Sequence, residues 1–124
     1  MKENIRNLLI NKDISIKEAM RKMGEGAEKI LFIADDNLRL LGSLTDGDIR
    51  TWILADKPLT NKVERVFNKN PIFVKEDCPL DTVKKLMLNE KIEWVPAVNN
   101  SGKIVDVYLW EDVFGNAQKR EKKN

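Results

Sequence analysis

The chain reads as an α+β protein made of two copies of one β-α-β-β-α unit, and two observations predict it. The first is a constant offset of 64 residues that carries Asp13 onto Asp77, Met23 onto Met87 and Asp48 onto Asp112. The second is that apolar character survives the same shift. Ile16 falls on Leu80, Ala19 on Val83, Ile30 on Trp94, Leu31 on Val95, Leu44 on Tyr108 and Ile49 on Val113. Three identities could arise by chance, but a full apolar register without a gap marks an internal repeat.

Each element can be justified in order. Leu8-Leu9-Ile10 and Ile72-Phe73-Val74 are short apolar runs that suit strands, the second preceded by Pro71. Ser15-Ile16-Lys17-Glu18 opens a helix as a capping box, Ile16, Ala19, Met20 and Met23 continue it at helical spacing, and Gly24 and Gly26 stop it. In the second copy Pro79 lies near the helix start, and Leu80, Val83 and Met87 form the apolar stripe. Lys29 to Ala34 and Glu93 to Val98 read as buried strands, followed by the turn residues Asp35-Asp36-Asn37 and Asn99-Asn100-Ser101-Gly102. A second strand comes next, Leu40 to Leu44 or Ile104 to Leu109, and a helix then begins at Asp46 or Trp110. Ile49, Trp52 and Ile53 are expected on the inner face of the first such helix. Between the copies, Asn61-Lys62-Val63-Glu64 is expected to cap a short linking helix carrying Val63, Val66 and Phe67.

The expected boundaries are 1–58 for the first repeat, 59–67 for the linking helix, 68–115 for the second repeat and 116–124 for a charged tail. That tail reads as a linker to a further domain or a frayed terminus. Neither copy is expected to stand alone, because each would leave one sheet face exposed, and pairing them buries both.

Composition narrows the function. A chain of 124 residues buries roughly two-thirds of its unfolded surface, enough for stability without metals or disulfides. With 42% hydrophobic and 34% charged residues it has the make-up of a soluble globular protein. Its net charge is +2, part of which comes from the basic tail, so no general nucleic-acid binder is expected. A single cysteine, Cys78, allows no internal disulfide and fits a reducing compartment. No apolar run approaches the roughly 20 residues that span a bilayer, and the start lacks a signal peptide's pattern, so the cytoplasm is the expected location. Histidine is absent, which removes His-based acid–base chemistry, nucleophilic triads and most transition-metal sites. No phosphate-loop, dinucleotide or nucleophile-elbow pattern occurs, so the chain by itself is not expected to be an enzyme.

The sharpest local signal is Gly42-Ser43-Leu44-Thr45-Asp46-Gly47-Asp48-Ile49, at a strand-to-helix passage with Thr45 as the N-cap. The helix start offers unpaired N–H groups and its positive dipole end to a phosphate, and the Thr45 hydroxyl adds a hydrogen bond. The Asp48 carboxylate, one turn inside, can accept two hydrogen bonds from a ribose diol. Thr45-x-x-Asp48 is equally a capping-box variant, and from this segment alone the cap is the stronger reading. The repeat shifts that balance. Asp48 recurs as Asp112, whereas Thr45 becomes Leu109, which cannot cap, so capping is not expected to explain the second acid.

The repeat length, the element order and Gly42-x-x-Thr45-x-x-Asp48 with Val95-Pro96-Ala97-Val98 resemble the CBS domain family over residues 3 to 114. Two such repeats form a Bateman module. The string Thr45-Asp46-Gly47-Asp48-Ile49-Arg50 is similar to pairs fused to sugar nucleotidyltransferases, so an attached or associated enzyme of that kind is expected as partner. The resemblance implies two tandem repeats packed with pseudo-two-fold symmetry, two clefts between them, and a regulatory module that binds an adenine nucleotide. Carried over, one cleft uses Leu44, Thr45 and Asp48 facing Asn70, Ile72, Trp94, Val95 and Pro96. The second uses Asp112 facing Ile10, Lys29 and Ile30. It is expected to bind weakly or stay empty, since Leu109 replaces the hydroxyl and Asp106 stands where Gly42 stood. A homodimer formed through the repeats is also expected. The alternative is a structural dimerisation module that binds no ligand.

Other residues have ordinary readings beside functional ones. Trp94 suits stacking on adenine or a plain place in a buried strand. Lys29 and Arg50 could neutralise phosphate, but a solvated role leads for both. Trp52 and Trp110 suit core or dimer contacts, Met20, Met23 and Met87 suit the core, and nothing near Cys78 suggests a reactive thiol.

Overall fold

The computed structural model describes residues 3–26 and 28–115. The chain divides into two units, Met1–Pro71 and Ile72–Asn124. The tail expected at 116–124 lies outside the described residues.

The first unit contains α1 (Glu3–Arg6), β1 (Leu9–Ile10), α2 (Ile16–Glu25), β2 (Ile30–Ala34), β3 (Leu40–Thr45), α3 (Asp46–Leu54) and a 3-10 turn at Val63–Arg65. The second contains β4 (Val74–Lys75), α4 (Leu80–Glu90), β5 (Trp94–Val98), β6 (Ile104–Leu109) and α5 (Trp110–Phe114). Each unit holds one three-stranded sheet, in the order β1-β2-β3 or β4-β5-β6. The outer pair β1–β2 or β4–β5 is parallel, and β2–β3 or β5–β6 is antiparallel. The fold is therefore α+β, two tandem β-α-β-β-α repeats.

The 64-residue offset holds at the level of single hydrogen-bonded pairs. Ile30 faces Thr45 and Ala34 faces Leu40 in one sheet; Trp94 faces Leu109 and Val98 faces Ile104 in the other. Even the register shift recurs, between Ile33 and Ala34 and between Ala97 and Val98. The turns repeat as well. Asp35 Oδ1 accepts the N–H groups of Asn37 and Arg39, both at 2.9 Å, while Asn99 Oδ1 accepts those of Ser101 and Lys103 at 2.9 and 3.0 Å. These Asx bonds place Leu38 and Gly102 at φ +65° and +83°, the left-handed region such turns require. The Arg39 N–H, then that of Asn37 and the Arg39 guanidinium, hold the Asp35 carboxyl below its ordinary value.

Local chemistry sets the helices. Ser15 Oγ accepts the Glu18 N–H at 3.0 Å and starts α2 as expected. The helix then runs through Gly24 and ends at Gly26, so Gly26 alone acts as the stop. In the first unit Ile10, Ile16, Ala19, Leu31, Ile33, Leu44, Ile49 and Trp52 build the core, with Val63 and Phe67 completing it. In the second unit Val74, Val83, Met87, Val95, Ala97, Trp110 and Val113 do so. Met20 and Met23 pack at the rim of the first core and Met87 is fully buried in the second.

Three further expectations change. Ile53 is not on the inner face of α3: it is exposed, and α3 packs through Ile49 and Trp52 alone. The segment after α3 forms only the short 3-10 turn, with Lys62 at its start and no side-chain cap. It is fastened to the first unit, since the N–H groups of Ile16 and Val63 donate to the carbonyls of Asn61 and Ile14 at 2.8 and 2.9 Å. Finally, Ile72 and Phe73 lie outside β4 and are exposed, 37% and 48%, whereas Leu8, the counterpart of Ile72, is 8% exposed and Leu9, that of Phe73, is half-buried. Proline explains this. In the first unit the Phe32 N–H donates to the Leu8 carbonyl at 2.6 Å, pairing Leu9 with Phe32. The counterpart of Phe32 is Pro96, which has no N–H, so the pairing of Phe73 with Pro96 cannot close and β4 begins one residue later, at Val74.

Candidate functional site

The strand-to-helix junction of the first unit begins with a close approach. A Cβ on Gly42 would lie 2.3 Å from both the Asn68 carbonyl oxygen and Phe67 Cδ1, so only glycine fits beneath this strap. Ser43 and Asn68 exchange main-chain hydrogen bonds, Ser43 N–H to Asn68 O at 3.0 Å and Asn68 N–H to Ser43 O at 2.8 Å. β3 then delivers Leu44, Thr45 and the first turn of α3.

There the capping box is complete. Thr45 Oγ1 accepts the Asp48 N–H at 3.2 Å, and Asp48 Oδ2 accepts the Thr45 N–H at 2.9 Å. The Asp46 N–H donates to the Lys29 carbonyl at 3.2 Å. The helix start is thus less bare than expected: among the described residues only the Gly47 N–H of the first turn has no acceptor. The Thr45 hydroxyl proton and Asp48 Oδ1 also have no hydrogen-bond partner among those residues, and both side chains are half-buried. One hydroxyl, one main-chain N–H and one carboxylate oxygen therefore gather within one helical turn. That set can bind a phosphate oxygen and a sugar hydroxyl together.

The second junction differs. Asp112 Oδ2 accepts the Leu109 N–H at 3.1 Å, matching the Asp48 bond. This corrects the argument that capping cannot explain the second acid. Leu109 has no hydroxyl, but its backbone N–H still requires an acceptor, and Asp112 supplies it. Asp106, at the Gly42 position, turns Oδ1 onto the N–H of Val107 at 2.9 Å. The described residues contain no counterpart of the Ser43–Asn68 bridge in this unit.

The remaining expected residues fall in place unevenly. Leu44 is fully buried in the first core, so its backbone alone is left for a ligand. Asn70 is exposed, with its N–H given to Asn68 Oδ1 at 3.0 Å and its carbonyl accepting Asn68 Nδ2–H at 3.3 Å. Ile72, Trp94, Val95 and Pro96 belong to the second unit. Trp94 is half-buried at the start of β5, and Val95 is wholly buried. Of the weaker set, Ile10 and Ile30 are buried in the first unit and Asp112 lies in the second. Lys29 and Arg50 line an open groove of about 260 Å³ with Met20, Met23, Asp46, Ile49 and Ile53, whose lining does not include Thr45 or Asp48. Arg50 is ion-paired to Asp46, so it is committed within its own helix. Sequence reasoning missed Gly47 and Asn68; the only signal for the latter was the two turn-forming asparagines of Asn68-Lys69-Asn70.

The fold and this junction define a tandem-repeat α+β module with one complete hydroxyl-and-carboxylate site. A family model for the CBS domain matches residues 3–55 and 63–117, and the chain belongs to that family. It is similar to the CBS domain pair of MJ0100, solved in complex with 5′-methylthioadenosine and S-adenosyl-L-methionine, at 28% identity and a TM-score of 0.72 over 86% of this chain and 87% of that one. It shares the fold of CBSX2, solved in complex with AMP, at 24% identity and a TM-score of 0.77 over 90% and 88% of the two chains. Among curated proteins it is similar to the arabinose 5-phosphate isomerase GutQ of Salmonella typhi, 25% identical over 100 residues. That match takes in 81% of this chain and 31% of GutQ, so the chain spans under a third of this relative's length. The expected nucleotidyltransferase link gains no support here, since the enzyme GutQ names is an isomerase. Among the described residues no helix is long and apolar enough to cross a membrane.

Proposed function

We propose that the chain is a cytoplasmic regulatory module that binds an adenine nucleotide and, without catalysis of its own, modulates an attached or associated enzyme. The observation that carries this reading is the junction at Thr45 and Asp48, where a hydroxyl, an N–H and a carboxylate oxygen remain for phosphate and ribose. Adenosine compounds on MJ0100 and CBSX2 support the ligand class, and GutQ offers an enzyme precedent for the partner. In this reading Leu44 (through its backbone), Thr45, Asp48 and Asn70 hold the sugar and phosphate, and Ile72, Trp94, Val95 and Pro96 enclose the base. Asp112, Ile10, Lys29 and Ile30 would make a weaker second site. Regulation follows if the nucleotide binds two arrangements of the module with different affinity.

Calorimetric titration with AMP, ADP, ATP and S-adenosylmethionine tests the reading, and binding no tighter than millimolar by all four would refute it. The informative variant is Asp48→Asn. Its amide oxygen still accepts the Thr45 N–H, so the helix cap and melting temperature should hold while ribose-dependent affinity falls about tenfold. Asp48→Ala would also uncap α3 and confuse the two effects.

A second reading, a dimerisation module that takes no ligand, is favoured by the exposed apolar side chains of Ile53 and Leu54 on α3 and Leu80 and Leu88 on α4. A concentration-independent dimer by sedimentation, dissociated by Leu54→Asp and indifferent to nucleotides, would support it over the first.

A further inference from the structure

We propose that Asn68 is a positioning residue of the nucleotide site, one that holds Asn70 in fixed relation to Thr45; the inference rests on the nucleotide reading above. Asn68 makes two kinds of bond at once. Its backbone pairs with Ser43, two residues before Thr45 on the same strand, through the reciprocal bonds of 3.0 and 2.8 Å. Its side chain brackets the backbone of Asn70, accepting the N–H at 3.0 Å and donating to the carbonyl at 3.3 Å. A single residue thus ties the strand that delivers the hydroxyl to the segment that presents Asn70.

The strap is anchored on both sides of this bond. Phe67 is buried in the first core, and Lys69 lies over its ring, 4.8 Å from the centroid, while donating to the Glu64 carbonyl at 3.3 Å. Gly42 lets the strap lie directly on β3, because any Cβ there would meet the Asn68 carbonyl at 2.3 Å. Asn68 itself is exposed and its side chain adds nothing to the core, so losing its two side-chain bonds should cost little stability. Their effect is orientation. Without them the backbone between the anchored Lys69 and Pro71 is held less tightly, and the affinity of a ligand touching the Asn70 side chain falls.

The test is a double-mutant cycle read by calorimetric titration with AMP, with thermal melts of each protein alongside. Asn68→Ala should weaken AMP about tenfold while moving the melting midpoint by no more than a few degrees. Asn70→Ala keeps the backbone groups that Asn68 holds and removes the side chain proposed to touch the nucleotide, so in that background the same change should weaken AMP no further. Asn68→Asp, which keeps the acceptor for the Asn70 N–H, should recover part of the loss. Full AMP affinity in Asn68→Ala, or an equal loss with and without Asn70, overturns the positioning role and leaves the nucleotide reading intact. Failure of the unsubstituted protein to bind AMP or any of the other three ligands removes both.

Discussion

The two strand-to-helix junctions, one in each unit, are built on the same plan and diverge in what surrounds the plan. Both use the third helical residue, Asp48 or Asp112, to take the backbone N–H of the residue before the helix, at 2.9 and 3.1 Å. The recurring acid therefore caps its own helix in both halves, whether or not a ligand binds. What does not recur is the hydroxyl of Thr45, the bare backbone at Gly42 and the strap at Asn68. The opposite edge of each sheet diverges the other way: Phe32 closes its pairing to Leu8, while Pro96 leaves Ile72 and Phe73 unpaired and exposed. One unit keeps the polar junction and the other opens an apolar strand entrance.

Importing the second unit's residue into the first should break this difference most severely. Gly42→Asp places a Cβ within 2.3 Å of backbone and ring atoms, so the strap must lift and the Ser43–Asn68 bonds are lost. A destabilisation of about 3 kcal/mol is expected from overpacking and two broken hydrogen bonds, measured by urea unfolding. A cost under about 1 kcal/mol would show that the strap is loosely held. The reverse exchange, Asp106→Gly, has no strap to admit and should cost only the roughly 0.5–1 kcal/mol of a strand glycine together with the lost Asp106 bond to the Val107 N–H.

Thr45→Ala comes between them. It removes the acceptor of the Asp48 N–H and should cost about 1 kcal/mol, together with a loss of AMP affinity. A stability loss of that size with affinity unchanged would make Thr45 a cap alone and bring the two junctions closer than proposed.

The fold was legible because its signals are periodic and local. The offset of 64, Ser15 as a cap, the Asx turns and the helix starts at Asp46 and Trp110 each follow from one residue type in one position. The failures come from interactions between distant residues. Ile72-Phe73-Val74 looks like Leu8-Leu9-Ile10 in isolation, and only its pairing with Pro96 reveals the missing donor. Ile53 continues an apolar pattern along α3, but the core beneath that helix is filled by Ile49 and Trp52. At the site, Thr45 and Asp48 were readable from spacing, whereas the cap made by Asp112 was not, because reasoning about Leu109 attended to its side chain and the bond goes to its backbone. Asn68 was invisible for the same reason: its partners, Ser43 and Asn70, are main-chain groups.

The smallest expected effect probes the Pro96 difference directly. Pro96→Val keeps an apolar, strand-favouring side chain of similar size and restores an N–H opposite the Ile72 carbonyl. The new hydrogen bond should contribute about 1 kcal/mol, and the greater freedom of the unfolded chain should offset roughly 0.4–1 kcal/mol of it, so net stability barely moves. The change should instead be local. The amide at position 96 becomes protected in hydrogen exchange as the Phe32 amide is, and the Phe73 ring loses solvent exposure as β4 extends by one pair. If the new amide exchanges freely and Phe73 stays exposed, the missing N–H is not what holds this strand open. The cause would then lie in the exposed Ile72-Phe73 segment itself.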